Sequence, residues 1–368
     1  MRLVWGTVIA VMEEREGLQR LEVACDDGPP CKALCFPPLT GLAASGDRVV
    51  LNTTAVDLGL GTGGAHMVTM VERTGRPRAG VVFEERAAGH IMKLRYTPLQ
   101  RDVTSVEEPA SPYHATMADA VSLEGMPVVC CGLHSQLPLV AAAAKFALPD
   151  VRVAYVMTDQ ASLPLALSDV ADACTRQGLV DTTITCGQAY GGQLEAVTLH
   201  SGLLAAKAVA DADVAIVAVG PGVVGTATPF GHAGVAQGEA INAVANLGGT
   251  PVACLRLSFA DPRPRHQGVS HHTLTALTGV ALAPATVAMP VLPGREAASV
   301  EEALETAGVF DLHERAYVEF DLAEAIEAVG FEVRTMGRGP AEDPAFFAAA
   351  SAAGYVGALI GYSAPPPD

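Results

Sequence analysis

The feature that most constrains the fold is a repeated alternation of fully apolar, strand-like runs with alanine-rich helical stretches. The runs MPVVCC, VRVAYVM, LVDTTIT, VAIVAVG and PVACLRL lie between residues 126 and 257, and stretches such as LPLVAAAAKFAL separate them. Strands that are apolar at every position are buried on both faces, which is typical of a parallel sheet covered by helices on each side. We therefore predict a mostly parallel, Rossmann-like three-layer α/β domain over residues 118–368, with acidic helices in its C-terminal part.

A different pattern precedes this region. Up to residue 101 the apolar residues alternate with polar ones in short segments such as RVVLN and HMVTMVE, separated by glycine, aspartate and proline clusters. Alternation with a period of two predicts half-buried antiparallel strands, so residues 1–101 are expected to form a small β-barrel or sandwich. Residues 102–117 are charged, contain prolines and lack a pattern, and we interpret them as the linker between the domains.

Composition argues against several classes of protein. The formal net charge is −17, whereas nucleic acid and anionic membranes both require an extended positive surface, so neither is expected as a partner. No apolar run reaches the length of a membrane span, and the N-terminal segment lacks the cleavage region of a signal peptide. The eight cysteines are too sparse for a disulfide scaffold. A cytoplasmic protein with a small anionic ligand is the expectation, and assembly into a homo-oligomer stays open.

Polar residues and glycines gather in the segments that directly follow the five predicted strands. Ligands of open parallel sheets bind beyond the carboxyl ends of the strands, and the loops at the opposite edge of this sheet are short and plain. The segments supply the candidate catalytic residue Asp159 and the candidate ligand-binding residues His134, Ser135, Gln136, Gln188, Gly220, Gly222, Gly225 and Thr226. The alternative is that these residues cap helices and fill loop space.

The segment GPGVVG, residues 220–225, has the spacing of a dinucleotide-binding fingerprint and follows a predicted strand. That fingerprint requires a helix to begin at its last glycine, but the segment TATPF delays the helix to about Ala233. We therefore interpret GPGVVG as a glycine-rich loop whose backbone N–H groups approach an anionic ligand. Tight packing at the end of the strand explains the glycines equally well.

The most distinctive segment is FADPRPRHQGVSHHT, residues 259–273, which concentrates cationic and imidazole side chains in an acidic chain. The prolines beside Arg263 and Arg265 are expected to hold the segment extended, with both guanidinium groups on one side. Arginine donates two parallel hydrogen bonds to a phosphate or carboxylate, so the pair is a candidate ligand clamp. The alternative is structural ion pairing, for example with Asp261.

His266, His271 and His272 offer either proton transfer or metal ligation. Their spacing matches no standard zinc motif, and adjacent side chains on a helix diverge by about 100°. Because Ser270 is a suitable N-cap, we predict that a helix begins at His271, and we take His266 and His271 as candidate catalytic residues. No residue is assigned to a metal, and an anion rather than a transition metal is expected beside this segment.

The same segments carry a resemblance. LNTTAVDLGLGTGG, GLHSQL, ADVAIVAVGPGVVGT, QGEAINAVANLGG and FADPRPRHQGVSHHT are similar to the signature segments of a bacterial family catalogued only as a domain of unknown function, number 3866. The similarity extends over nearly the whole chain and implies that both domains belong to one unit. It implies no activity, substrate, cofactor or catalytic residue.

Three functional hypotheses stay open. The first is an enzyme acting on a small phosphorylated, nucleotide-like or carboxylate molecule, with Arg263 and Arg265 binding it and His266 or His271 moving protons. The second is a metal-dependent hydrolase built on His266, His271 and His272 with a nearby aspartate. The third is a non-catalytic ligand-binding or assembly protein. The sequence identifies no cofactor, and a fold alone does not choose among these classes.

Overall fold

The computed structural model describes residues 1–60, 63–72, 88–318 and 323–363. Within these residues the chain divides between Thr104 and Ser105 into two compact units. Residues 102–117, interpreted above as a linker, contribute the end of a short strand to the first unit and the beginning of a helix to the second. Each unit is described by itself below.

The first unit is a small barrel. Its strands are β1 Leu3–Arg15, β2 Leu18–Cys25, β3 Cys31–Cys35, β4 Arg48–Asn52 and β5 Ala65–Glu72, with the short helices α1 Pro37–Thr40 and α2 Thr54–Asp57 between them. The strands close in the order β1-β2-β3-β5-β4, and every neighbouring pair is antiparallel except β3 and β5. β6 Ile91–Lys93 and β7 Arg101–Val103 form a separate two-stranded sheet. The alternating pattern therefore predicts this β-domain correctly, because one residue in two faces the barrel interior.

The second unit contains the strands β8 Pro127–Cys130, β9 Val153–Thr158, β10 Thr182–Thr185, β11 Leu194–Glu195, β12 Val214–Val219, β13 Thr250–Ala253, β14 Leu257–Ser258, β15 Gly268–Val269, β16 Thr286–Met289 and β17 Glu314–Tyr317. Eight of them form one sheet in the order β11-β10-β9-β12-β8-β13-β16-β17. All of its neighbouring pairs are parallel. The predicted parallel sheet is confirmed.

Helices cover both faces of this sheet. They are α3 His114–Asp119, α4 Leu137–Ala147, α5 Asp169–Arg176, α6 Leu199–Ala208, α7 Ala236–Asn246, α8 His271–Thr275, α9 Gly294–Thr306, α10 Ala323–Glu327 and α11 Pro344–Ser363. Alternate residues of β9 enter opposite cores: Tyr155 packs in the core that contains α4 and α11, and Val156 packs in the core that contains α6 and α7. This two-sided burial explains why β9 is apolar at every position, and it confirms the three-layer fold.

Helix α11 corrects one expectation from the sequence. Its window Pro344–Gly361 is long and apolar enough, by length and composition, to cross a membrane, although we expected no run of that length. In the fold, however, 67% of this window is buried. Phe346 and Phe347 lie in the core, and Gly354 touches the backbone of Val140 so closely that a Cβ would not fit. Burial within the α/β unit therefore accounts for the apolar composition of α11.

The order in which the chain adds strands reverses around β8. From β8 the chain moves outward through β9, β10 and β11, returns to insert β12 beside β8, and continues on the other side with β13, β16 and β17. Such a reversal opens a crevice beyond the carboxyl ends of the strands, which is where open α/β sheets bind ligands. The segments that follow β12 and β13 therefore flank this crevice.

Candidate functional site

The segment after β13 folds back on itself to build the site. The chain leaves β13 through the fully buried Cys254 and Leu255 and then reaches Arg256. Because β14 pairs antiparallel with β15, the following residues return to the same place. The Arg256 N–H donates to Oγ1 of Thr273 at 3.1 Å, and the Ser270 N–H donates to the Arg256 carbonyl at 3.0 Å. These bonds hold the beginning of α8 beside the end of β13.

Five side chains meet there: Arg256, His232, His266, His271 and His272, which we call the Arg–His cluster. His232 ends the segment that follows β12, and its ring stacks on that of His272 with centroids 3.8 Å apart and 7° between the planes. His271 meets both rings edge to face, and the rings of His266 and His272 lie 4.9 Å apart. All five are buried except His271, which is half-buried.

Two local features position these rings. Ser270 is the N-cap of α8, as the sequence predicts: its Oγ accepts from the His272 N–H at 3.3 Å and lies 2.7 Å from Nδ1 of His266. Helix α8 continues into a π-helical turn, Ala276–Val280. That turn packs on α7 at Gly238, where an added Cβ would lie only 2.7 Å from Cβ of Val280. The cap and this close packing fix where the two helix-borne histidines point.

Arg256 is a buried cation, with 7% of its surface exposed. It forms no ion pair with any residue of the described ranges. Its Nη1 donates to Nδ1 of His272 at 3.1 Å, and since a guanidinium only donates, the proton of the neutral His272 ring resides on Nε2. Burial lowers the pKa of Arg256 to about 10, with the positive charge of Arg263 as a further cause. The site thus presents buried N–H donors and a positive charge.

The imidazoles of the cluster are neutral and incompletely hydrogen-bonded. Nε2 of His271 is buried and has no partner among the described residues, and the ring nitrogens of His232 make no hydrogen bond of normal geometry there, although the Pro229 backbone lies near enough to offset part of the lowering that burial causes in the pKa of His232. Leaving a buried polar group unsatisfied costs about 1–3 kcal/mol. Burial lowers the pKa of all four rings, to about 2 for His272 and about 3 for His266, and the neighbouring imidazoles and arginines add to the effect. A ligand with hydrogen-bonding oxygens would offset this cost.

A buried ion-pair network borders the cluster. Asp261 is 1% exposed and accepts from Nε and Nη2 of Arg263 at 2.9 and 2.7 Å, and from Arg338 at 3.4 Å. Asp343 binds Nε of Arg338 at 3.0 Å and the Ser258 hydroxyl at 2.7 Å. The hydrogen bonds from Arg263 hold the pKa of Asp261 well below its usual range. Arg263 is therefore an ion-pair partner of Asp261, which was the structural alternative.

The expectation of an extended segment around Arg265 is wrong. Residues Pro264–His266 form a single 3-10 turn, closed by the His266 N–H donating to the Arg263 carbonyl at 2.9 Å. Proline suits the first position of such a turn because it needs no N–H donor there. Arg265 is exposed and pairs with no carboxylate of the described residues, and its charge contributes to the lowered pKa of His271. The four arginines near the cluster and the two buried aspartates leave an excess of two positive charges.

Three imidazoles lie close enough together to hold a metal ion. The ligand atoms of His232, His271 and His272 are within 4.8 Å of one another. This trio differs from the one considered from the sequence, because His232 takes the place of His266. A histidine that ligates a metal ordinarily donates its second N–H to a carboxylate or carbonyl, whereas His272 accepts at Nδ1 from Arg256. The adjacent guanidinium also repels a cation, so the donor set fits an anion better than a metal.

The candidate residues after β8 bind other groups of the protein. The ring nitrogens of His134 lie 3.1 Å from the Tyr155 hydroxyl and 2.5 Å from the Ser168 hydroxyl, and burial lowers the pKa of His134 to about 4. Gln136 donates to the Leu255 carbonyl at 2.9 Å. The Gln136 bond joins the carboxyl ends of the neighbouring strands β8 and β13, whereas His134 ties the segment after β8 to the middle of β9 and to the N-cap of α5.

Three further candidates lie in other groups. The Ser135 hydroxyl donates to Oγ1 of Thr335 at 3.2 Å. Asp159, at the end of β9, accepts from the Gln188 N–H at 2.8 Å and so links the segments that follow β9 and β10. The Arg–His cluster thus contains the predicted His266 and His271, while Asp159 and Gln188 form a separate contact.

The glycine-rich loop approaches the cluster at Gly225. A Cβ added there would lie 3.6 Å from Nε2 of His272. Gly220 packs against a backbone carbonyl that a side chain would strike, and Gly222 has a φ of 92°, a conformation that glycine adopts readily. Thr226 is exposed and binds within its own loop. The packing explanation therefore holds for Gly220. Gly225 lies directly beside the rings of His232 and His272.

Sequence reasoning selects neither Arg256 nor His232 as a site residue. The available signal for Arg256 is a single charged residue inside the apolar run PVACLRL, where a solvated position is excluded. His232 is a lone histidine in a loop, and no local pattern shows that it stacks on a residue 40 positions later in the sequence.

Acidification is expected to destabilise the unliganded protein through these histidines. A ring whose pKa lies below about 6.5 in the folded state binds its proton only on unfolding, so stability is full above pH 6.5 and falls as the pH drops toward the folded value. Each ring contributes up to about 1.4 kcal/mol per pH unit.

Urea unfolding between pH 7 and 5, in buffer free of oxyanions, should show that the free energy of unfolding falls less steeply with pH for His266→Asn than for wild type. His200→Asn, on an exposed face of α6, is the control, and an identical slope for His266→Asn and wild type would refute the prediction.

Comparison with known proteins gives one result. No curated protein and no solved structure matched the chain. A family described as "Protein of unknown function (DUF3866)" matches residues 32–354, which run from the third barrel strand to the middle of α11 and include nearly all of the α/β unit. The chain therefore belongs to this family, DUF3866.

Proposed function

We propose that the protein is an enzyme that binds a small molecule through an anionic group at the Arg–His cluster and transfers protons there. The observation that carries this proposal is the buried guanidinium of Arg256, which has no ion-pair partner among the described residues and lies 3.1 Å from His272. An uncompensated buried charge is costly, and an anionic ligand offsets that cost. The incompletely hydrogen-bonded nitrogens of His232 and His271 in the same cluster support the same ligand chemistry.

A bound anion would raise the lowered pKa of these histidines toward the range that suits acid–base work. A neutral imidazole has one donor and one acceptor nitrogen, so it can accept a proton from the ligand or relay one. His271 is half-buried and can exchange protons with solvent, while the Ser270 hydroxyl orients His266. The exposed Arg265 adds positive potential beside His271, which attracts anions to an otherwise acidic protein. Six of the eight cysteines are buried free thiols, and Cys25 and Cys31 lie with their sulfur atoms 2.7 Å apart without a disulfide bond, which agrees with a reducing compartment such as the cytoplasm.

A ligand screen tests the proposal. Purified protein is heated with phosphate, phosphate monoesters, nucleotides or small carboxylates, and a specific ligand raises the melting temperature by several degrees. A ligand at a hundredfold excess over its Kd contributes about 2.7 kcal/mol of stability. The screen is repeated with Zn²⁺, Mn²⁺ and Mg²⁺ after chelation. Stabilisation by an anion supports the proposal, whereas stabilisation by metals alone overturns it.

The metal-dependent hydrolase is the second candidate function. It rests on the convergence of His232, His271 and His272, whose ligand atoms lie within 4.8 Å of one another. Elemental analysis separates it from the first: near one equivalent of transition metal in protein purified without chelators favours the hydrolase. Anion binding without turnover of any phosphorylated or carboxylate compound favours a non-catalytic binding protein.

A further inference from the structure

The ring geometry of the Arg–His cluster distinguishes between kinds of anion. One ring nitrogen from each of His232, His271 and His272 lies within 4.8 Å of the other two. Hydrogen bonds from ring N–H groups to oxygen span about 2.7–3.2 Å, so two nitrogens at this separation reach the same oxygen or two oxygens of one group. The three rings are therefore close enough together to contact a single small oxyanion.

The planes of the rings decide the shape of that oxyanion. His232 and His272 are parallel within 7° and stacked 3.8 Å apart, whereas His271 stands at 69° and 63° to them. Ring N–H bonds lie in the plane of the ring, so the donors approach from two stacked planes and a third plane that crosses them. A carboxylate accepts hydrogen bonds near its own single plane. A tetrahedral group accepts from all of these directions at once.

The charge around the cluster also favours a doubly charged group. Arg256, Arg263, Arg265 and Arg338 lie near the cluster together with the buried Asp261 and Asp343, so these six groups carry a formal charge of two positive in excess. Charged guanidinium groups form their strongest hydrogen bonds with anionic oxygens. A dianion balances this excess, whereas a single carboxylate balances half of it.

We infer that the anionic group bound at the Arg–His cluster is a phosphoryl group, held by the N–H donors of His232, His271 and His272 and stabilised by the nearby positive charge of Arg256. The inference rests on the proposed function and narrows its ligand to phosphorylated small molecules. The ligand's phosphoryl oxygens occupy the space beside Nε2 of His272 that the missing side chain of Gly225 leaves open.

Gly225 provides a steric test of this position. A Cβ at residue 225 would lie 3.5 Å from Cβ of His232 and 3.6 Å from Nε2 of His272, which are ordinary van der Waals distances. The backbone of Gly225 has no positive φ, so alanine is compatible with the fold. Gly225→Ala therefore fills the ligand space without straining the protein. Gly294→Ala is the matched control, because a Cβ at residue 294 meets no atom within 4 Å.

Calorimetric titration compares two pairs of probes. Sulfate and malonate are both dianions, tetrahedral and carboxylate respectively, and inorganic phosphate and acetate extend the comparison. We expect sulfate and phosphate to bind at least tenfold more tightly than malonate and acetate. Gly225→Ala should weaken phosphate binding at least tenfold, and Gly294→Ala should leave it unchanged. If Gly225→Ala fails to fold, His271→Ala, which removes one donor, should weaken phosphate binding to a similar extent.

Each outcome separates the inference from the proposed function. Binding of malonate or acetate as tight as that of sulfate and phosphate overturns the phosphoryl assignment and leaves an anion site. Binding of none of the four anions overturns both. Unchanged phosphate affinity in folded Gly225→Ala, or in His271→Ala, shows that phosphate binds elsewhere and overturns the inference.

Discussion

Arg256→Met is expected to abolish anion binding while the unliganded protein stays as stable as wild type or becomes more stable. The substitution removes a buried cation that has no ion-pair partner among the described residues, and methionine fills a similar volume. Replacing buried charges by apolar side chains is often neutral or stabilising, whereas losing a buried charge that contacts an anion costs 2–5 kcal/mol of binding. We predict a loss of phosphate affinity of about 100-fold or more, measured by calorimetry alongside urea unfolding.

The control for this substitution is Arg152→Met, which removes an exposed arginine paired with Asp211 and Asp213. It should leave phosphate binding unchanged. A purely structural role for Arg256 predicts the reverse pattern. Arg256→Met would then lower the free energy of unfolding by several kcal/mol, and phosphate binding would fall only because less of the protein is folded. That pattern would contradict the site assignment.

Asp261→Asn is expected to lower the free energy of unfolding by several kcal/mol. The carboxylate is 1% exposed and binds Arg263 through two hydrogen bonds, with Arg338 as its second partner. Neutralising it leaves Arg263 without its counter-charge, while Arg338 keeps Asp343 at 3.0 Å, and breaking a buried ion pair costs about 3–5 kcal/mol. Urea unfolding at pH 7 measures this cost. Asp211→Asn, with Asp211 mostly exposed beside Arg152, should change stability by less than about 1 kcal/mol.

An Asp261→Asn protein within about 1 kcal/mol of wild type would contradict this account. It would mean that the arginines find water or other acceptors without cost. In that case Arg263 would again be available to bind ligand, as the clamp hypothesis from the sequence holds.

The fold can be predicted from local sequence patterns because each strand keeps the same pattern of burial along its length. β9 is apolar at every position because Tyr155 and Val156 enter separate cores on the two faces of the sheet. In the barrel, alternate residues such as Val49 and Leu51 face a single interior, which gives the period of two. Helix α11 is harder to anticipate, because its burial depends on packing against α4, a helix about two hundred residues earlier.

The candidate site can be predicted from the sequence only in part, for a different physical reason. The pattern locates the segment that carries His266 and His271, since unusual residue types concentrate there. The sequence pattern does not reveal that β14 and β15 pair. This pairing places a turn where an extended arginine clamp was expected. It also brings Arg256 into contact with His272. The contact of His232 with the same ring depends on the adjacency of the segments after β12 and β13. Such contacts arise from topology, which no local window contains.

A crystal structure of the protein grown with selenate locates the bound oxyanion directly, because selenium scatters anomalously and selenate has the shape and charge of a phosphoryl dianion. Data collected at the selenium edge should show a peak at the Arg–His cluster. The selenate oxygens around this peak should lie within hydrogen-bond distance of the rings of His232, His271 and His272, with Arg256 nearby. Data at the zinc edge, from the same crystals, should show no peak there. A selenium map without a peak at the Arg–His cluster, or a zinc peak between the three imidazoles, would contradict the claim that this cluster binds an anion.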